Sequence, residues 1–162
     1  MLRQTEEFGN AALIRTRDET KLAQCDVVVD VGGMYDYSRR RFNHHQAGFS
    51  ETFFPDSPIK LSSAGLIYKH FGKQVIAKEL NLPITDEVIP QIYNKMYQSF
   101  VKPIDAIDNG IAPYPAAGKL LYTDSTNLGS RINRLNPGWN FPISEEIAMA
   151  GRLIRIYKKK PT

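Results

Sequence analysis

An α/β fold, with a parallel-type sheet and flanking helices, is predicted by three features of this chain. "DVVVDVGG" (Asp26–Gly33) is a continuous β-branched run closed by two glycines, the pattern of a strand buried on both faces of a parallel sheet. Strand-like and helix-like segments alternate along the 162 residues, as they do in α/β domains. The helical segments also carry their own caps and apolar stripes. A chain of this length supports one domain with a real core. Its 42% apolar and 23% charged residues are ordinary for a soluble globular protein. No apolar run approaches the roughly 20 residues that span a membrane. The opening "MLRQTEEFGN" has the pattern of neither a signal peptide nor an Arg-rich transit peptide. A single cysteine, Cys25, excludes an internal disulfide and suits a reducing, intracellular setting.

Each element has its own local reason. "AALIRTRD" (Ala11–Asp18) reads as a short strand, and Asp18 caps the brief helix "ETKLAQC". After the strand of Asp26–Gly33, "MYDYSRRRFNHHQ" alternates aromatic and basic residues without helical period, as a loop or hairpin does. "ETFFPDSPIK" is a Pro-punctuated loop, and Ser62 or Ser63 caps "AGLIYKHFGKQVIAKEL". The core-facing stripe there is Ile67, Phe71, Val75 and Ile76/Leu80. Another helix starts near Thr85, with Asp86 and Glu87 suited to its positive end and a stripe of Ile89, Ile92, Tyr93, Met96 and Phe100. Pro103 should kink or divide it. "IDAIDNGI" comes next, stopped by Asn109-Gly110. "STNLGSRINRLNPGW" reads as a capped helix, and "SEEIAMAGRLIRIYKKK" as the last helix, capped by Ser144. The domain expected is 1–143, with 144–162 a terminal helix and basic tail.

The net charge of +4 is concentrated in that tail. Arg152, Arg155, Lys158, Lys159 and Lys160 account for five positive charges, which leaves −1 for the rest. A solvated helix end explains them, and so does contact with a phosphate backbone, which would be salt-dependent.

Chemistry concentrates in "FNHHQAGF" (Phe42–Phe49). Adjacent side chains on a strand point to opposite faces, so His44 and His45 are poorly explained by core packing. A turn aiming both rings at one polar centre explains them better. Asp30, at the carboxyl end of the apolar strand, stands where ligands of open α/β sheets gather. Asp105 and Asp108 are three apart, so on a helical turn they share a face. Mixed imidazole and carboxylate donors suit Mn²⁺, Mg²⁺ or a similar ion that activates water in phosphoryl chemistry. CxxC, HExxH, P-loop and GxSxG motifs are absent from the sequence.

"VVVDVGG", "FNHHQAGF", "LSSAGLIYKHFG", "FVKPIDAIDNGI" and "SRINRLNPGWN" stand in the order and spacing of the melanocyte-proliferating-gene (Myg) family, which the chain resembles and which has DHH-type phosphoesterase relatives. The resemblance implies a DHH-phosphoesterase-like domain, here partial, that hydrolyses phosphodiester bonds with one or two Mn²⁺ or Mg²⁺ ions. It implies RNA as substrate, degraded 3′→5′, in mitochondrion and nucleus. It assigns Asp30 as a metal-bridging aspartate, His44 as a metal ligand, His45 as the histidine facing the substrate phosphate, and Asp108 or Asp105 as a further ligand. Arg39, Arg40, Arg41 and Arg131 are the candidate phosphate contacts.

Two departures from the family pattern set expectations for activity. Asn43 stands where the family has aspartate; it keeps the size and loses the charge behind the ligands, a change that costs about 10–100-fold in metal affinity or activity. The family's first histidine-rich metal-binding segment and its C-terminal domain have no counterpart in this chain. A truncated member with weak or no activity is therefore expected. The alternatives are a catalytically silent module that binds nucleic acid or protein, and a hydrolase of a small phosphorylated molecule.

Overall fold

The chain forms two compact units, Met1–Pro113 with Arg155–Thr162, and Tyr114–Ile154. The computed structural model describes residues 1–112, Gly129 and 156–158, all but Gly129 in the first unit. That unit is a mixed α/β arrangement. A three-stranded sheet has the order β2 (Val28–Val29), β4 (Arg41–Phe42), β3 (Tyr35–Asp36). The β2–β4 pair is parallel, with Val29 opposite Phe42. The β3–β4 pair is antiparallel, with Tyr35 opposite Phe42. The sheet is therefore mixed and not parallel throughout. The reason is local: "YDYSRRRF" folds back as a tight hairpin, and a tight hairpin can only join antiparallel strands. Within the run Asp26–Gly33 the strand itself is two residues long, and a left-handed Asp30 (φ 68°) followed by the left-handed Gly32 and Gly33 ends it on the carboxyl side.

A second pairing joins β1 (Ala12–Ile14) antiparallel to β5 (Ile156–Lys158), with Leu13 opposite Tyr157. The sequence pattern predicts a final helix through Ile156–Lys158. Its β-branched and aromatic residues match a strand once β1 offers an edge to pair with. The rest of that predicted helix, and the predicted helix of Ser125–Trp139 apart from the helical Gly129, lie outside the described residues.

Asp18 caps α1 (Glu19–Ala23), accepting the Thr20 and Lys21 N–H groups. α2 (Ser63–Leu80) is the scaffold of the unit. Ser62 caps it, accepting the Gly65 N–H at 3.2 Å, and Asn81 ends it in the left-handed conformation. Leu66, Ile67, Phe71 and Ile76 are buried, Val75 is half-buried, and Leu80 is exposed. Phe8 meets Phe71 edge-to-face at 5.9 Å, and Phe42 does so at 5.8 Å. The core thus lies between α2, the N-terminal segment and the sheet.

On another side of α2 runs a second helical rod. α3 (Val88–Met96) passes into a π-helical turn (Tyr97–Val101), then α4 (Lys102–Asp108). The π turn sits where Pro103 requires it. Proline has no N–H and its ring clashes with the carbonyl four residues back, here Ser99, so the helix widens before it. This wider turn shifts the buried face. Ile89, Tyr93, Tyr97, Val101 and Asp105, each four apart, are all buried against the interior. Met96 and Phe100, predicted to face the core, are exposed instead.

Candidate metal centre

Backbone turns and a helix end bring the candidate residues together. Asp30 keeps its ladder bond, its N–H donating to the Phe42 carbonyl at 2.9 Å. Its left-handed backbone is uncommon for a residue with a Cβ and is a form of strain that collects at functional sites. Directly after β4, Asn43 is buried; its N–H donates to the Met34 carbonyl at 3.0 Å and its Oδ1 accepts the His45 N–H at 2.6 Å. That brace replaces strand alternation by a turn. The two imidazoles, which an extended chain would point apart, lie with centroids 3.9 Å apart.

Their Nε2 atoms stand 3.0 Å from each other. Asp30 Oδ1 is 3.4 Å from His45 Nε2 and 3.9 Å from His44 Nε2. Asp108 Oδ2 reaches His44 Nε2 at 3.4 Å from the end of α4. Asp30, His44 and His45 can each offer one ligand atom with all three within 4.8 Å of one another. The His44 side chain is 2% exposed and that of His45 is 59% exposed. One imidazole therefore forms the floor and the other the rim, with half-open carboxylates beside them. Phe49 packs edge-on to His44, whose buried Nδ1 makes no hydrogen bond among the described residues.

The donor set suits a divalent cation. Two nitrogens each about 2.1 Å from one ion, at a right angle, stand about 3.0 Å apart, and the Nε2 pair has that separation. Two imidazoles with two carboxylates fit Mn²⁺, Mg²⁺ or a related ion better than a thiolate-seeking one.

Asp105 is placed differently. It is fully buried, and its Oδ1 accepts both the Ser62 N–H at 3.0 Å and the Ser62 hydroxyl at 2.7 Å. Burial pushes its carboxyl above the ordinary aspartate value, against the opposing pull of those hydrogen bonds. Burial, then the nearby Asp105 charge, raises the Tyr97 hydroxyl as well. Asp105 Oδ2 and the Tyr97 hydroxyl lie close enough to affect each other, yet neither makes a well-aligned hydrogen bond. The face that Asp105 and Asp108 were expected to share is thus divided: one turns inward, the other toward His44. No local motif singles out the Ser62–Asp105 contact. The run of positions four apart ending at Asp105 is the signal that points to it.

The arginines divide too. Arg41 donates to the carbonyls of Arg39 (2.9 Å) and Leu22 (3.5 Å). Arg40 pairs with Glu7 at 3.2 Å and lies over the Phe8, Tyr37 and Phe71 rings. Arg39, by contrast, extends an exposed guanidinium that touches Met34 Sδ at 3.7 Å. Arg131 lies outside the described residues. The third histidine, His70, is a brace under the hairpin: Nε2 bonds the Tyr35 hydroxyl at 2.8 Å and the ring stacks on Tyr37 at 4.1 Å. Burial, helped by the adjacent Lys69 charge, lowers its pKa.

Fold and cluster together define an α/β domain with a candidate divalent-cation centre at the end of its small sheet. The chain belongs to the MYG1_exonuc family, described as an uncharacterised protein family (UPF0160), whose model matches residues 1–151. It is 48% identical over 147 residues to the MYG1 exonuclease of Homo sapiens, an alignment covering 88% of this chain and 39% of the relative. Over 147 residues it is 49% identical to the MYG1 exonuclease of Rattus norvegicus, covering 88% of this chain and 38% of that protein. It is 40% identical to the MYG1 protein of Dictyostelium discoideum, covering 91% and 44% respectively. The chain thus spans about two-fifths of the length of these curated relatives. No solved structure matches it. Among the described residues no helix is long and apolar enough to cross a membrane.

Proposed function

We propose that Asp30, His44, His45 and Asp108 form a divalent-cation centre, for Mn²⁺ or Mg²⁺, that hydrolyses the phosphodiester bonds of RNA from the 3′ end, within a DHH-phosphoesterase-like domain. The observation that carries this reading is the convergence of both Nε2 atoms with two carboxylates drawn from separate segments. Relatives named exonucleases support a nucleic-acid substrate. A divalent cation at such a centre supplies positive charge for a phosphoryl oxygen and lowers the pKa of a bound water.

The protein's own groups do the rest. Asp30 and Asp108 contribute the negative charge that holds a cation, and the buried His44 fixes its depth. His45, open on the rim, holds the cation through Nε2 and keeps its Nδ1–H free to donate to a phosphoryl oxygen. Asn43 holds the turn that aims both rings. An amide accepts the His45 N–H as a carboxylate would, so the turn persists, but the negative charge behind the ligands is absent. Weak turnover is the expected consequence, about 10–100-fold below a carboxylate-backed site.

Calorimetric titration with Mn²⁺, paired with cleavage of RNA blocked at the 3′ or the 5′ end, tests this. Binding that weakens at least about 100-fold in Asp30→Asn and in His44→Ala, with degradation stopped by the 3′ block alone, is expected. Mn²⁺ affinity unchanged by both substitutions would remove the centre. A second reading, a silent nucleic-acid-binding module, draws on Asn43. Tight, salt-dependent RNA binding together with no cleavage in Mn²⁺, even after Asn43→Asp, would favour it.

A further inference from the structure

We propose that Asp105 is a positioning residue for this centre: anchored on the first turn of α2, it sets the register of α4 so that Asp108 meets His44. The proposal rests on the reading of the cluster as a cation centre. Asp105 and Asp108 lie one turn apart on α4, which is seven residues long. Asp108 is its last residue, its side chain is about half exposed, and His44 is its side-chain partner among the described residues. Nothing local therefore holds the Asp108 carboxylate in place; the helix that carries it must do so.

Asp105 is where that helix is fastened. Its Oδ1 takes both protons that Ser62 offers, from the backbone N–H and the hydroxyl, while Ser62 Oγ accepts from Gly65. Room for the carboxylate is made by Gly65, where a Cβ would land on both Asp105 oxygens. One turn later the Asn109 amide bonds the Asp105 carbonyl at 2.8 Å and the Lys60 carbonyl at 3.0 Å. The end of α4 is thereby tied to the segment that leads into α2. Ser62 already caps α2 without help, so capping alone does not require a buried carboxylate, which is costly. What the carboxylate adds is direction: a two-donor contact fixes the rotation of α4 about its axis, which an apolar contact would leave loose.

The test is a double-mutant cycle read by Mn²⁺ calorimetry on the whole chain. Asp105→Ala should weaken Mn²⁺ binding about 10–100-fold, in the range of lost orienting partners. Asp105→Asn, which keeps an acceptor oxygen for Ser62, should restore affinity to within about threefold. In an Asp108→Ala background, Asp105→Ala should cost nothing further, because the residue acts through Asp108. Ser62→Ala keeps its backbone N–H on Asp105 and repeats the pattern at smaller amplitude, should Asp105→Ala not fold. Losses that add in the double mutant, or an Asp105→Ala protein with native affinity, overturn the proposal while Asp108→Ala still weakens binding. If Asp108→Ala itself binds Mn²⁺ as tightly as the parent, the cation-centre reading fails first and the proposal falls with it.

Discussion

Two carboxylates three residues apart on one helix have opposite surroundings. Asp105 is sealed from solvent and bonded to the start of α2; Asp108 is half open and faces an imidazole. They differ in what each charge can do. A buried carboxylate with fixed donors stabilises one geometry and is unavailable to a ligand. An exposed one beside a histidine can exchange its partner for a cation at little cost. Spacing of three in sequence says only that two side chains are neighbours; the packing of the rod against α2 decides which of them serves the fold.

The heaviest loss should come from closing the space Asp105 occupies. Gly65→Ala should cost at least about 2–3 kcal/mol of stability, because the added methyl meets a carboxylate held by two donors and cannot push it aside. Urea denaturation measures it. A loss below about 0.5 kcal/mol would show that α4 yields easily and that the anchor is slack. Next, Asp105→Ala should lose about 2 kcal/mol by stranding the buried Ser62 donors. Metal-free Asp108→Ala should stay within about 0.5 kcal/mol, as exposed substitutions do. Equal losses from the two would erase the contrast.

Much of this arrangement is legible in the sequence. A serine cap at 62 or 63, Asp18 as a cap, a loop or hairpin before His44 and the Pro103 interruption follow from local chemistry, which acts within a few residues. The adjacency of His44 and His45 also speaks for a turn, and Asn43 supplies it. The illegible parts depend on long-range partners. The strand at Ile156–Lys158 exists because β1 lies beside it, and no local pattern announces a partner over a hundred residues away. The exposure of Phe100 follows from the π turn that contains it, which changes the period on which a 3.6-residue stripe is drawn. Asp105 escapes a local reading for the same reason, since a polar residue on a buried ridge looks like a solvated one until the ridge is traced.

A smaller effect reads the burial of Asp105 by pH. Burial raises the folded-state pKa of Asp105 above its ordinary 3.8, so the folded state binds its proton more readily than the unfolded chain does. Its contribution to stability is then fully present below the unfolded pKa and is lost as pH rises through the folded one. Asp105→Asn should flatten that acid-side slope of unfolding free energy. Chemical denaturation at a series of pH values reads the slope. An unchanged slope in Asp105→Asn would mean that the carboxylate is solvated in the folded protein.

The slightest effect carries the contrast to the arginines, which repeat it in positive charge. Arg41 is committed to the backbone carbonyls of Arg39 and Leu22, as Asp105 is to Ser62. Arg39 reaches outward, as Asp108 does. If the centre acts on a nucleic acid, Arg39→Ala should lower the slope of log affinity against log salt by about one, the signature of one lost phosphate contact, and shift stability by no more than about 0.5 kcal/mol. Arg41→Ala should do the reverse, losing about 1 kcal/mol with the hairpin's carbonyl bonds and keeping the salt slope. Filter binding of RNA across a salt series, with urea denaturation of the same proteins, distinguishes the two. Identical salt slopes for both variants would mean that exposure does not select which arginine meets the strand, and the rule drawn from Asp105 and Asp108 would stop at the metal centre.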